Sequence, residues 1–206
     1  MFAPPLIDWG FATLMLAGEK ESGDLHVVKA VNSGALVAVV DGLGHGAEAA
    51  VAARAAVKVL EQYANEPPLS LLRRCHQALV RTRGVVMSLA LFDRAAGSMT
   101  WLGVGNVEGV LLYADAARRV RHDTLVTRGG IVGSDLPPVR AKVVSVAPRD
   151  TLIFATDGVR SPFTDGLPPD APPQQLADQI LAHHGKGTDD ALVLVARYMG
   201  GAAVGA

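Results

Sequence analysis

Hydrophobic and polar positions follow one another along this chain in a pattern that predicts an order of elements. Strand-like segments are expected at Phe11 to Leu16 and Leu25 to Val31, separated by the polar turn Gly18 to Gly23. Ala35 to Val40 is apolar throughout, the signature of a strand buried on both faces, and it runs into Asp41-Gly42-Leu43-Gly44-His45-Gly46, where glycine permits a tight turn. Arg54, Lys58, Glu61 and Gln62 then recur at helical spacing, opposite Ala49, Ala52, Ala53, Ala56, Val57 and Leu60. That stripe predicts an amphipathic helix reaching about Ala64. A second helix, from about Leu69 to Val80, follows Pro67-Pro68.

Three strand-like runs come next, at Val85 to Phe92, Met99 to Val104 and Gly109 to Tyr113, with turn signals at Asp93 to Gly97 and Gly105-Asn106. Connections this short favour antiparallel neighbours. Arg118 to Pro138 reads as a polar, turn-rich loop. Strands are expected at Ala141 to Val146 and Thr151 to Thr156, a Pro-rich loop at Ser161 to Pro173, a helix at Gln174 to His184 and a last strand at Ala191 to Tyr198. This order does not alternate strand and helix as a parallel sheet requires. It predicts an α+β fold of antiparallel sheets covered by helices. Residues 1–199 read as one domain, and the small-residue tail 200–206 is expected to fray.

Composition narrows the class. With 206 residues, 50% hydrophobic and a net charge of -1, the body of the chain is folded rather than disordered. Lys and Arg number 19 against 20 Asp and Glu, so there is no basic excess for a nucleic-acid partner. No apolar run approaches the ~20 residues of a membrane span, and no secretory signal is apparent. A cytoplasmic protein is expected. The single cysteine, Cys75, falls on an apolar stripe with Leu71, Leu72 and Leu79 and reads as core, not nucleophile. Trp9 and Trp101 read as packing residues, and His183-His184 as the polar end of a helix stopped by Gly185.

Candidate chemistry lies in aspartates at the ends of the most apolar strands. Asp41 closes Val37 to Val40, Asp157 closes Ile153 to Thr156, and Asp189-Asp190 precedes Ala191 to Val195. A carboxylate at a buried strand end is costly unless something positive holds it, and few Lys or Arg are near in sequence. Oxygen ligands suit Mg²⁺ or Mn²⁺, while the lack of a Cys/His set argues against zinc. Each Asp-Gly pair is also an ordinary turn former. On pattern alone, both readings stand.

Ser22-Gly23-Asp24, Asp41-Gly42-Leu43-Gly44-His45-Gly46, Arg83-Gly84, Thr156-Asp157-Gly158 and Asp189-Asp190 resemble, in order and interval, the motifs of PPM-type (type 2C) metal-dependent serine/threonine protein phosphatases. The similarity is greatest to the bacterial sporulation and stress-response branch, and within it to stand-alone stressosome phosphatases, since no sensor domain precedes these motifs. It extends from about Phe11 to Tyr198. The resemblance implies a four-layer α-β-β-α sandwich with two Mn²⁺ or Mg²⁺ ions at one sheet edge. It implies Asp41 as the bridging ligand with the Gly42 carbonyl beside it, Asp157 and Asp189 on the other side, Asp24 from the first hairpin, and Asp190 where many relatives have Asn. Asp41 and Asp157 are then also the catalytic residues.

The same resemblance implies that the two ions activate a hydroxide for direct in-line attack on phosphorus, with no phosphoenzyme. The implied substrates are phosphorylated stressosome scaffold proteins with sulfate-transporter/anti-sigma-antagonist domains, whose dephosphorylation resets stress signalling. Two alternatives are a phosphatase of a phosphorylated anti-sigma-factor antagonist and a catalytically silent partner-binding domain. The phosphate-holding arginine and acid histidine of eukaryotic relatives have no clear counterpart here. His45, Arg83, Arg128 and Arg160 are candidates, each against an ordinary surface role. The loops Arg118 to Pro138 and Ser161 to Pro173 are expected to flank the metal site and select the substrate.

Overall fold

In the computed structural model, which describes residues 5–115 and 117–200, the uninterrupted apolar runs are strands that bury both faces. The clearest case is β3 (Gly34–Gly42). Its Ala35, Val37 and Val39 enter a core between two sheets, while Leu36, Ala38 and Val40 enter a second core beneath helices. The side-chain period of a strand is two, so a run without polar residues is what a two-faced strand needs.

Before β3 come β1 (Ile7–Leu14) and β2 (Asp24–Val31). After it come α1 (Gly46–Gln62), α2 (Pro68–Leu79), β4 (Val85–Asp93), β5 (Ser98–Val104), β6 (Glu108–Leu112), β7 (His122–Thr124), β8 (Lys142–Ser145) and β9 (Thr151–Ala155). The described chain closes with α3 (Pro173–His184) and β10 (Ala191–Tyr198). Two antiparallel five-stranded sheets result, ordered β1-β10-β9-β6-β7 and β2-β3-β4-β5-β8. They stack face to face over Phe92, Trp101, Phe154 and Leu194. α1 and α2 cover the β3 sheet through Ala52, Ala56, Leu60, Leu71 and Leu79. α3 covers the other sheet through Leu176, Ala177 and Ile180. The architecture is the expected four-layer α-β-β-α sandwich.

Differences from the sequence reading have local causes. β1 begins at Ile7, four residues before the expected Phe11, because pairing with β10 continues through Asp8, Trp9 and Gly10, which lack an apolar signal. β7 lies inside the segment read as a loop. Three residues held by pairing with β6 and by the Asp123 carboxylate, which accepts from Tyr113 and Lys142, leave no hydrophobic trace. The tail expected to fray falls, at 201–206, outside the described residues.

The two long loops do not both stay at one place. Arg128 bridges to Val104 and Val132 to Val85, so that part of the first loop reaches the sheet edge where β3 ends. The second loop leaves that edge after Ser161. Its Asp170 pairs with Arg149, and its Pro169 carbonyl accepts from Arg197 Nη2 (3.1 Å), near the Thr151 start of β9. Most of Ser161 to Pro173 therefore sits at the opposite end from Asp157, which corrects the expectation that both loops flank the acidic site.

Cys75 is fully buried under α1, with Sγ 3.9 Å from the Ala56 carbonyl, and burial pushes its thiol pKa up to about 12. A thiol this hard to ionise is a packing group, not a nucleophile. Cys75→Ser is expected to cost about 1–2 kcal/mol of stability. Denaturant melts check it, and a variant as stable as wild type would mean that the thiol does not contribute to packing.

Candidate functional site

Five aspartates meet at one edge of the sandwich because of how the strands are ordered. β2 starts at Asp24 and β3 nears its end at Asp41, and the two residues are direct partners across that antiparallel pair. In the facing sheet, Asp157 follows the end of β9 and Asp189-Asp190 precede its antiparallel neighbour β10. An antiparallel pair brings one strand's end beside the next one's start, so residues distant in sequence reach the same edge.

Only one of the two Asp-Gly pairs makes a turn: Asp157-Gly158 lie at the centre of one closed by the Val159 N–H donating to the Thr156 carbonyl (3.1 Å), whereas Asp41-Gly42 lie within a strand. Gly42 ends β3, and a Cβ on it would stand 2.2 Å from the Ala49 carbonyl oxygen; one on Gly158 would stand 2.0 Å from that of Asp190. Each glycine lets another backbone segment press against the aspartate that precedes it. The left-handed conformations expected of the glycine turn occur later, at Gly44 and Gly46.

Asp41, Asp157 and Asp189 line an open pocket of about 180 Å³ together with Leu43, Gly44, His45, Val86 and Asn106. Asp24 and Asp190 are buried, each 4% exposed, and do not line it. The Thr156 hydroxyl donates to Asp24 Oδ2 (2.7 Å) and accepts from the Leu192 N–H (2.8 Å), tying β2 to the other sheet. Asp190 accepts from the Leu16 N–H (2.8 Å) through Oδ1 and from the Gly23 N–H (2.7 Å) through Oδ2. Both of its oxygens thus anchor the β1–β2 connection. The Asp189 carboxylate accepts from the Asp190 N–H at 2.8 Å.

Asn106 Nδ2 donates to Asp157 Oδ2 (2.8 Å), and Lys186 Nζ donates to the Asp157 carbonyl. His45 Nδ1 meets Glu19 Oε1 at 2.5 Å, which fixes its ring at the pocket wall. Of the candidate arginines, Arg83 is paired with Glu48 and Arg160 donates to the His183 carbonyl (3.3 Å). Arg128 is bridged through its backbone to Val104.

Asn106, Lys186 and Glu19 have no functional place in the sequence reading, and Thr156 figures there only as part of the Thr156-Asp157-Gly158 motif, with no role of its own. Gly105-Asn106 carries only a turn signal. Lys186 and Glu19 sit in polar loops where a charged residue is unremarkable by pattern. Only the fold brings them to the aspartates.

Gathering these carboxylates is electrostatically costly. Burial, followed by repulsion from Asp24 and then Asp157, Asp189 and Asp190, pushes the Asp41 pKa up to about 9. Burial is also the main cause that raises Asp24 to about 7, with Asp190, Asp157 and Asp189 adding to it and the Thr156 hydrogen bond opposing. Among the described residues, no three His, Cys, Asp or Glu side chains stand close enough to hold a metal ion without adjustment. The donor set is nevertheless all oxygen and clustered, and among the described residues none of its carboxylates forms an ion pair with Lys or Arg, the Lys186 ammonium resting on the Asp157 carbonyl instead; a hard divalent cation suits such a set.

Two antiparallel sheets between helices, with an acidic pocket at one edge, are joined by a family match: residues 32–199 match SpoIIE, Stage II sporulation protein E, and the chain belongs to that family. The phosphoserine phosphatase RsbX of Bacillus subtilis (strain 168) is 34% identical over 94 residues, 46% of this chain and 47% of that relative. The match therefore spans about half the length of the curated relative. A chain from a structure of the bacterial stressosome, described as a modular system adapted to control secondary messenger signalling, is 30% identical. It covers 93% of this chain and 99% of its own, with a TM-score of 0.83. A crystal structure of RsbX in complex with magnesium covers 93% and 95%, with a TM-score of 0.82 and 22% identity, and shares the fold.

Proposed function

We propose that this chain is a Mn²⁺- or Mg²⁺-dependent phosphatase of phosphoserine or phosphothreonine in proteins, acting in the cytoplasm in bacterial stress signalling. Its proposed substrates are phosphorylated stressosome scaffold proteins with sulfate-transporter/anti-sigma-antagonist domains. The observation that carries this reading is the pocket of Asp41, Asp157 and Asp189 at the sheet edge, backed by the buried Asp24. Likeness to RsbX and to a stressosome chain supports the choice of substrate.

Asp41, the Gly42 carbonyl, Asp157 and Asp189 would hold the two ions, with Asp24 contributing from β2. Two divalent ions, when bound, supply an activated water and stabilise charge on the phosphoryl oxygens for in-line displacement. The chain's own part is orientation. Asn106 and Lys186 hold Asp157 from its side chain and its carbonyl, and Thr156 holds Asp24. Outer partners of this kind keep ligands in position. We assign Asp190 to positioning as well, since both its oxygens serve the amides of Leu16 and Gly23. To His45, fixed by Glu19, we assign the proton for the departing serine oxygen.

The test is hydrolysis of an aryl phosphate with Mn²⁺, with Mg²⁺ and with excess chelator. Phosphorylated scaffold protein and phosphorylated anti-sigma-factor antagonist are then compared as substrates. Hydrolysis that needs either ion and disappears with chelator is expected. Full activity in chelator would overturn the metal assignment, and a preference for the antagonist would overturn the assignment of substrate.

A further inference from the structure

The larger depression at this end of the molecule lies beside the carboxylate pocket. It has a volume of about 440 Å³, lies between the start of α1 and the turn from α2 into β4, and is lined by Ala47, Glu48, Val51, Arg81, Thr82 and Arg83. The two meet at Gly44 and Arg83. Gly44 lines the carboxylate pocket, and a Cβ on it would stand 2.7 Å from Arg83 Nη1, so the arginine of the groove rests on the wall of the site. A polypeptide advances roughly 3.3 Å per residue when extended. A chain with its phosphoserine in the pocket therefore enters the groove within a few residues.

The lining has two unsatisfied features. Val51 of the lining is 51% exposed although most apolar side chains of α1 are buried, and Val80, which follows α2 just outside the lining, is exposed as well. Arg81 is exposed and forms no ion pair among the described residues, whereas Arg83 has Glu48. A free guanidinium in the groove that adjoins the acidic pocket offers an acidic polypeptide a cationic partner, and such complementarity selects partners. We infer that this groove receives the stretch of phosphoprotein flanking the phosphoserine, and that the stretch it fits carries an acidic side chain for Arg81 and an aliphatic one for Val51. The inference rests on the phosphatase reading.

It is tested with two phosphoserine peptides that differ only in acidic or basic residues beside the phosphoserine, with an aryl phosphate as reference, on the whole chain with Mn²⁺. Wild type is expected to favour the acidic peptide in kcat/KM by roughly tenfold, and Arg81→Glu to reverse that preference, as charge reversal at an interface rim does. Val51→Asp is expected to weaken use of the acidic peptide. Both variants should hydrolyse the aryl phosphate at the wild-type rate. Equal use of the two peptides by wild type, or equal loss on peptide and aryl phosphate in Arg81→Glu, would overturn the groove. Fluorescence polarisation of the same peptides in chelator separates the two failures. If no aryl phosphate is hydrolysed, the phosphatase reading fails, and the groove then stands only if the acidic peptide still binds and loses affinity in Arg81→Glu.

Discussion

Asp41→Asn is expected to abolish turnover and, in the same sample, to raise the melting temperature of the metal-free protein. The two effects share one cause. Asp41 carries a carboxylate that burial and four neighbouring aspartates disfavour so strongly that its pKa is pushed up to about 9. An amide has the same shape and no charge to desolvate, so the substitution removes the electrostatic penalty and leaves the volume unchanged. The residue also stands in the lining of the acidic pocket and in register with Asp24, where the proposed reaction needs a bridging ligand. Loss of an outer partner of a metal ligand already costs about 10–100-fold, so loss of a shared ligand should exceed roughly a hundredfold. A stability gain with activity lost is the mark of a residue kept for function against folding. Thermal melts in chelator and initial rates with Mn²⁺ measure the pair. A destabilised, inactive variant would mean that Asp41 is structural, and near-normal turnover would place the bridge elsewhere.

How far the sequence reveals such a site depends on which forces leave a local trace. Ala35 to Val40 and Ala191 to Ala196 are legible as strands because burial on both faces removes polar residues, and the aspartates that end or precede them stand out by contrast. The purpose of Gly42 and Gly158 is not legible. The same dipeptide allows a backbone to approach at Gly42 and does so while also making a turn at Gly158, and only the assembled fold tells these apart. Asp190 illustrates a second limit. Its carboxylate reads as a ligand by its neighbour Asp189, yet its oxygens are engaged by amides 167 and 174 residues away in sequence. Asn106 and Thr156 show the same limit, since their value lies in a single hydrogen bond to another strand's aspartate. The second long loop looked like a wall of the site because it follows Asp157, but its Asp170 is drawn to Arg149 at the far end. Pairings that depend on the assembled sheets have no periodicity to betray them.

In the absence of divalent ions the protein is expected to lose stability steadily as pH rises from about 5 to about 9, and Mn²⁺ is expected to remove that trend. The sign follows from proton counts. Asp24 and Asp41 have an ordinary carboxylate value of 3.8 when unfolded and about 7 and about 9 when folded, raised chiefly by burial and then by one another and the other aspartates. Between those limits the folded state holds more protons than the unfolded state, so each rise in pH favours unfolding. The contribution is complete below the unfolded value and is lost as pH passes through the folded one. Each tenfold difference in proton affinity is worth about 1.4 kcal/mol, so the two groups together make a difference on the order of several kcal/mol, a large share of a total stability of about 5–15 kcal/mol. A divalent cation reverses the balance because it binds the ionised carboxylates and competes with protons, so its stabilising effect grows with pH. Melting curves across this range, in chelator and with Mn²⁺, read both trends, and Asp41→Asn in chelator should show a shallower slope than wild type. A flat or rising melting temperature in chelator would mean that the aspartates ionise without cost, and the cluster would then have no need of a metal to hold it together.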